Sequence, residues 1–203
     1  MQKYLQNISR ETERLFVIYV DLLQKWNKKI NLIGRSTEES IWQRHVLDAQ
    51  QLLDLIPEDS KTLLDIGSGA GIPGFLIALA RPEIKVTLVD SDQKKCAFLS
   101  EAKRVTSCNN VEIMCSRIES LAGSWDVVTA RALAELQQLL RWSQEFSHPK
   151  TCGIWLKGKD WKAELEDAKK QFLFDFSTTP SKTNAEAVII ITTKQQLKCG
   201  PVI

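Results

Sequence analysis

The segment richest in chemistry is Asp65-Ile66-Gly67-Ser68-Gly69-Ala70-Gly71-Ile72-Pro73-Gly74. It follows the apolar run Leu63-Leu64-Asp65-Ile66 and opens a helical stretch, so it reads as the turn between a strand and a helix. Glycines let such a turn close tightly and let a ligand lie directly on peptide groups. At the carboxyl end of a strand in an open α/β sheet, that is the place for a nucleotide-like cofactor. A dinucleotide loop, Gly-x-Gly-x-x-Gly, would require glycine where Ile72 stands. The next apolar run, Val86-Thr87-Leu88-Val89-Asp90, ends on an acid placed to accept hydrogen bonds from a ribose hydroxyl pair. The competing reading is a glycine turn used only for tight packing. Arg44, His45 and Asp48 form a second group, since positions three and four apart share a helical face. They form either a polar cluster at the cofactor mouth, or a solvated Arg–Asp pair beside a structural histidine.

These groups need elements to hold them. From Ser9 to Trp26 the apolar residues Leu15, Phe16, Tyr19, Leu22, Leu23 and Trp26 recur with helical period, predicting an amphipathic helix capped by Ser9. Ser36 and Glu39 have the spacing of a capping box and predict a second helix over 37–55, stopped by Pro57. Short apolar runs then alternate with helical stretches: strands over 63–66, 86–90, 111–114 and 125–130, helices over 73–80, 93–106 and 132–146. Such alternation predicts a parallel sheet covered on both faces. Beyond Pro149 the pattern predicts a strand over 153–156, a helix over 159–170, and runs over 172–177 and 187–192 suited to antiparallel pairing. With no internal repeat or linker, the expected organisation is a helical extension over 1–57 packed on one globular unit over 58–203.

Composition sets limits more than it points. The 203 residues are 43% apolar and 26% charged, enough for one substantial core. No run approaches the roughly 20 apolar residues of a membrane span, and Met1 to Arg10 lack the apolar block of a signal peptide, so a cytoplasmic protein without a membrane partner is expected. Cys96, Cys108, Cys115, Cys152 and Cys199 are scattered and include no Cys-x-x-Cys pair, which predicts reduced thiols and no metal site. With a net charge of only +2, a nucleic-acid partner would have to be held by a local basic patch.

Asp65 ahead of a Gly-x-Gly-x-Gly run is similar to motif I of class I methyltransferases, whose cofactor carries no pyrophosphate. Further blocks narrow the likeness: Trp26-Asn27-Lys28-Lys29-Ile30-Asn31-Leu32, Arg44-His45-Val46-Leu47-Asp48, the Ile72-Pro73-Gly74 ending of the loop, Lys94-Lys95-Cys96-Ala97-Phe98-Leu99, Ser116-Arg117-Ile118-Glu119, Ala130-Arg131-Ala132 and Leu156-Lys157-Gly158. In that order they resemble the glucose-inhibited division protein B family, the bacterial 16S rRNA (guanine-N7) methyltransferases, with a departure at Ile33, where members more often carry a small polar residue. The resemblance implies a Rossmann-like class I S-adenosylmethionine-dependent methyltransferase fold, a mostly parallel seven-stranded sheet with an N-terminal helical extension. It implies S-adenosylmethionine as donor, S-adenosylhomocysteine as product, no metal, and a monomer acting on 16S rRNA or the small ribosomal subunit. It assigns cofactor contacts to Asp65, Gly67, Ser68, Gly69, Gly71, Pro73, Gly74, Phe75, Asp90, Ser91, Arg117, Ile118 and Glu119. Arg131 would stand beside both cofactor and target base, joined in catalysis by Arg44, His45 and Asp48.

The implied chemistry is undemanding in protons. Guanine N7 attacks through an in-plane lone pair, so positioning carries most of the rate. The sequence agrees in what it lacks, with no Asn/Asp-Pro-Pro-aromatic block for exocyclic amines and no Pro-Cys nucleophile for pyrimidine carbon. Lys25, Lys28, Lys29, Asn31, Arg35 and Arg44, with Lys157, Lys159 and Lys162, are the candidates for RNA contact. Trp26 or Trp42 could stack on a base, although Trp26 completes an apolar helical stripe and core burial is its stronger reading. A small-molecule methyltransferase and a nucleotide-binding protein without catalysis are the alternatives.

Overall fold

Side chains alternate along the central strands between two apolar layers, and that alternation builds the molecule. In β1 (Thr62–Ile66), Leu63 enters one layer while Leu64 and Ile66 enter the other; in β2 (Lys85–Asp90), Val86 and Leu88 join the first and Val89 the second. The computed structural model describes residues 8–198. The remaining strands are β3 (Val111–Cys115), β4 (Val127–Arg131), β5 (Cys152–Lys157), β6 (Phe172–Pro180) and β7 (Val188–Leu197). They form one sheet in the order β3-β2-β1-β4-β5-β7-β6. The first five run parallel, and β7 is antiparallel to both its neighbours, as the two C-terminal apolar runs predict. The order reverses between β1 and β4, so the connections diverge there and open a crevice beyond the carboxyl ends of the strands.

One layer is covered by α1 (Arg10–Asn27), α3 (Gly74–Ala80) and α4 (Gln93–Thr106), the other by α5 (Leu136–Gln144) and α6 (Trp161–Gln171). Ser9 caps α1 as expected, its hydroxyl accepting from Thr12 N at 3.0 Å. Phe16, Tyr19, Val20 and Leu23 fix α1 to the core, and burial of each such side chain is worth about 1.5–3 kcal/mol. Tyr19 stacks on Phe75 with ring centroids 5.3 Å apart, and Trp26 meets Phe98 edge-on at 5.8 Å, so Trp26 packs into this layer. Ile33 packs against the same layer, which accounts for an apolar residue there.

The second predicted helix is not one helix. Residues 35–55 form a 3₁₀ segment (Arg35–Ser40), a π turn (Trp42–Val46), the single α turn α2 (Leu47–Gln50) and a 3₁₀ turn (Leu53–Leu55). The Ser36–Glu39 capping box is not formed; Gly34 occupies the cap position without a side-chain bond. Nearby polar groups are engaged elsewhere: Thr37 Oγ1 donates to Gly34 O at 2.8 Å, and Asn27 Nδ2 donates to Glu38 Oε1 at 2.8 Å. Hydroxyls that bond locally compete with a regular helix. The helix expected over 132–146 begins only at Leu136, because Ala132 has φ +53° and breaks the chain direction after β4. The four described cysteines carry free thiols. Cys199 and the first seven residues, on which part of the leader expectation rests, lie outside the described residues. Among the described residues no helix is long and apolar enough to cross a membrane.

Candidate active site

The loop from β1 to α3 is held through its peptide groups, which pair with backbone and with the Asp65, Ser68 and Asp90 side chains. Gly67, Gly69 and Gly71 have φ of +64°, +56° and +80°. Ser68 N donates to Val89 O and Val89 N to Ser68 Oγ, each at 2.9 Å, while the Ser68 hydroxyl donates to Asp65 O at 2.7 Å. The loop is thereby sewn to the ends of β1 and β2. A Cβ on Gly67 would lie 2.5 Å from Leu133 Cδ1, and one on Gly74 would lie 2.6 Å from both the Asp65 side chain and Leu88 Cδ2. At Gly69 the nearest atom would be 3.9 Å away, so bare peptide faces open space there. Asp65 is buried, accepts from Gly74 N at 3.1 Å, and burial pushes its carboxyl up to about 7.

Beside this loop opens a cleft of about 340 Å³, whose walls include Gly67, Asp90, Ser91, Arg117, Ile118 and Glu119 from the expected cofactor set. Asp90 accepts from Gly69 N at 2.8 Å and Asp92 N at 2.9 Å, with Lys95 Nζ 3.7 Å away. A carboxylate has about four acceptor sites, so hydroxyl donors can still be received. Lys95 and Ser116, which fall within the resembling blocks but were assigned no contact, also line the cleft, as do Leu133 and Trp142, which the sequence did not mark. Ser116 Oγ is buried with no hydrogen-bond partner among the described residues. Asp65, Ser68, Gly71, Pro73, Gly74 and Phe75 are buried beneath the loop and shape its backbone instead of lining this cleft.

A second pocket, about 260 Å³, lies on the other side of Ala132, which lines both. The left-handed turn at Ala132 sends Arg131 into the second pocket and Leu133 into the first, at a strain cost of about 1–2 kcal/mol. Arg44, His45, Asp48 and Arg131 all line this pocket. Arg131 Nη2 contacts His45 Nδ1, and Nη1 lies 3.4 Å from Asp48 Oδ2. Burial, then the positive charges of Arg131 and Arg44, push the His45 imidazole down to about 3, so the ring is neutral. A guanidinium only donates, so Nδ1 accepts and the ring proton sits on Nε2, 2.9 Å from Thr37 Oγ1. Burial raises the Asp48 carboxyl, opposed by the Thr183 hydroxyl and by Arg131. Burial likewise lowers Arg131, with Asp48 acting against it.

The cations divide. Lys25, Lys28, Lys29, Arg35, Arg44, Lys159 and Lys162 are exposed, as is Asn31. Lys157 is not available to RNA: it is 8% exposed, its Nζ 2.7 Å from Ala134 O and 2.5 Å from Glu164 Oε2, so its charge is already neutralised inside the pocket wall. The β6–β7 loop, with Ser181, Thr183 and Asn184, supplies part of this wall, and the sequence pattern did not mark it. Chemically, the second pocket offers fixed donors and a neutral ring, with its one carboxylate committed to Arg131, Thr183 and Gln51.

The strand order with its antiparallel β7, the glycine loop after β1, the acid ending β2 and the crevice where the order reverses define the fold of the class I S-adenosylmethionine-dependent methyltransferases. Among solved structures, the chain is similar to a ribosomal protein L11 methylase from Lactobacillus delbrueckii subsp. bulgaricus (TM-score 0.60, 14% identity, 81% of each chain) and a SAM dependent methyltransferase from Aquifex aeolicus (TM-score 0.59, 16% identity, 84% of this chain and 97% of that one). In sequence it is 44% identical over 190 residues to the ribosomal RNA small subunit methyltransferase G of Methylorubrum populi, covering 91% of this chain and 89% of that protein. The protein of the same name from Parvibaculum lavamentivorans is 40% identical over 192 residues, 92% of this chain and 84% of its own. The family model for rRNA small subunit methyltransferase G, GidB, matches residues 12–189. The chain belongs to that family.

Proposed function

We infer that this protein transfers the methyl group of S-adenosylmethionine to N7 of a guanosine in 16S rRNA. The observation that carries the reading is the pair of pockets meeting at Ala132, one with walls for a nucleoside cofactor, the other offering fixed donors while its imidazole and carboxylate are already engaged. The first pocket fits the cofactor. Ile118, Leu133 and Trp142 give apolar walls for a purine, Asp90 has acceptor capacity for ribose, and Ser116 Oγ is a buried hydroxyl waiting for a polar group. S-adenosylmethionine, when bound, supplies an electrophilic methyl group on a sulfonium.

The protein's own part is to place the base. Arg131 presents donors suited to a purine carbonyl, and donors on N7 itself would tie up the attacking lone pair. His45 and Asp48 hold that guanidinium, and no side chain has to take a proton before attack. A guanosine reaches such a pocket only when unpaired, so a loop or an open region of the RNA is the expected target. Lys28, Lys29, Asn31, Arg35 and Arg44, with Lys159 and Lys162, are proposed to hold flanking phosphates. The protein is taken to act as a monomer in the cytoplasm, where its RNA substrate is.

The test uses small subunits, and the rRNA extracted from them, from cells lacking the gene. Incubation with the protein and methyl-labelled S-adenosylmethionine should place label in 7-methylguanosine after nucleoside digestion. Label in small metabolites alone would favour a small-molecule enzyme, and cofactor binding without turnover would favour a sensor.

A further inference from the structure

Between β6 and β7 the chain reaches back to the segment that carries His45 and Asp48. Lys182 N donates to Gln51 Oε1 at 2.9 Å, and the Thr183 hydroxyl donates to Asp48 Oδ1. Gln51 Nε2 reaches that same oxygen at 3.2 Å. Local geometry orients the Thr183 proton. Thr183 N donates to Ser181 Oγ at 3.2 Å, and Ser181 Oγ lies 2.9 Å from Thr183 Oγ1. With Ser181 donating to Thr183, the Thr183 proton is left for Asp48, which as a carboxylate can only accept.

The other Asp48 oxygen lies 3.4 Å from Arg131 Nη1, and Arg131 Nη2 meets the acceptor nitrogen of neutral His45. A guanidinium is a planar fork, so where its acceptors lie decides where its remaining donors aim. The Asp48 and Arg131 side chains are only 15% and 21% exposed, which keeps water from substituting for these partners. We propose that Thr183 is a positioning residue for methyl transfer: by fixing the Asp48 carboxylate it aims Arg131 into the acceptor pocket, although it lies outside the cofactor cleft. The proposal rests on the second pocket being the acceptor site.

Thr183→Val keeps the shape of the side chain and removes the donor. On small-subunit rRNA with S-adenosylmethionine, kcat should fall about tenfold, since small misplacements of a positioning group cost up to about 10²-fold. Cofactor affinity by calorimetry should stay within about twofold, and Thr183→Ser should restore most of the rate. In an Asp48→Asn background Thr183→Val should add almost nothing, because residues acting in one chain of contacts are not additive. Wild-type kcat in Thr183→Val, an equal loss in the Asp48→Asn background, or a loss that follows the melting temperature and is not restored by serine would each overturn the proposal. If the wild-type protein itself labels no RNA, the acceptor-pocket reading falls and takes the proposal with it; an active wild type with an insensitive variant removes the proposal alone.

Discussion

The two pockets that meet at Ala132 are built by opposite means. The cofactor cleft is organised by its glycine loop, where each contact has a peptide group at one end and the sewing runs through Ser68, Gly69 and Asp90. The second pocket gathers residues from 37–48, 131–132, 156–158 and 181–189, and the contacts that link these segments at His45, Asp48 and Arg131 run side chain to side chain. A site made of backbone is exacting about volume and indifferent to many side chains. A site made of converging side chains tolerates volume better, and depends on each donor finding its acceptor.

Arg131→Ala is the sharpest way to separate them. Losing one preorganised donor at a reaction centre typically costs about 10²–10³ in rate, and kcat on rRNA should fall by that factor. Arg131 lines the second pocket and not the first, so calorimetric affinity for S-adenosylmethionine should stay within a few-fold of wild type. A parallel collapse of cofactor affinity would show that the two pockets are one site, with Arg131 serving both as the family resemblance implies.

The same contrast explains what could be read in advance. Short apolar runs located the strands and the 3.6-residue period most of the helices, because a strand buried on both faces and a helix buried on one each leave a local mark in the chain. The glycine loop was legible because positive φ at Gly67, Gly69 and Gly71 restricts residue type directly. Residues 35–55 misled, since Ser36 and Glu39 have the spacing of a cap, while Thr37 and Glu38 find better partners in Gly34, His45 and Asn27. Lys157 looked like a free cation until its partner Glu164 came into view on α6. Thr183 and Trp142 gave no signal, because what makes them part of a wall is a tertiary approach that no local spacing records.

Volume is the way to break the cleft. In Gly74→Ala the new methyl would sit 2.6 Å from Asp65 and from Leu88, both fully buried, and overpacking of this kind costs about 1–3 kcal/mol. Gly69→Ala meets no atom nearer than 3.9 Å and bears mainly the conformational cost of φ +56°, about 1–2 kcal/mol. Denaturant unfolding should place Gly74→Ala below Gly69→Ala in stability. Calorimetry should show a larger loss of cofactor affinity per unit of lost stability for Gly69→Ala, whose methyl points into the open side of the loop. A reversed order would mean that the space beside Gly74 yields more easily than its neighbours suggest.

The smallest effect is a slope, and it sets the two regions against each other. Burial raises Asp65, on the cleft side, from an ordinary 3.8 to about 7, so between those values the folded state holds a proton the unfolded chain has released. Stability from this group therefore falls as pH rises across that window. His45, on the pocket side, is pushed from 6.5 down to about 3, so over that range the unfolded chain holds a proton the folded state refuses. Stability from that group rises with pH. Each proton is worth about 1.4 kcal/mol per pH unit, with opposite sign, so between about pH 4 and 6.5 the two contributions offset. Asp65→Asn keeps an acceptor for Gly74 N and removes one slope, so its unfolding free energy, measured in urea at pH 4.5, 5.5 and 6.5, should climb more steeply than wild type. His45→Gln keeps an acceptor for Arg131 and should tilt the same curve downward. Two variants that run parallel to wild type would mean that neither group carries a buried, shifted charge, and the electrostatic half of the contrast between cleft and pocket would be lost.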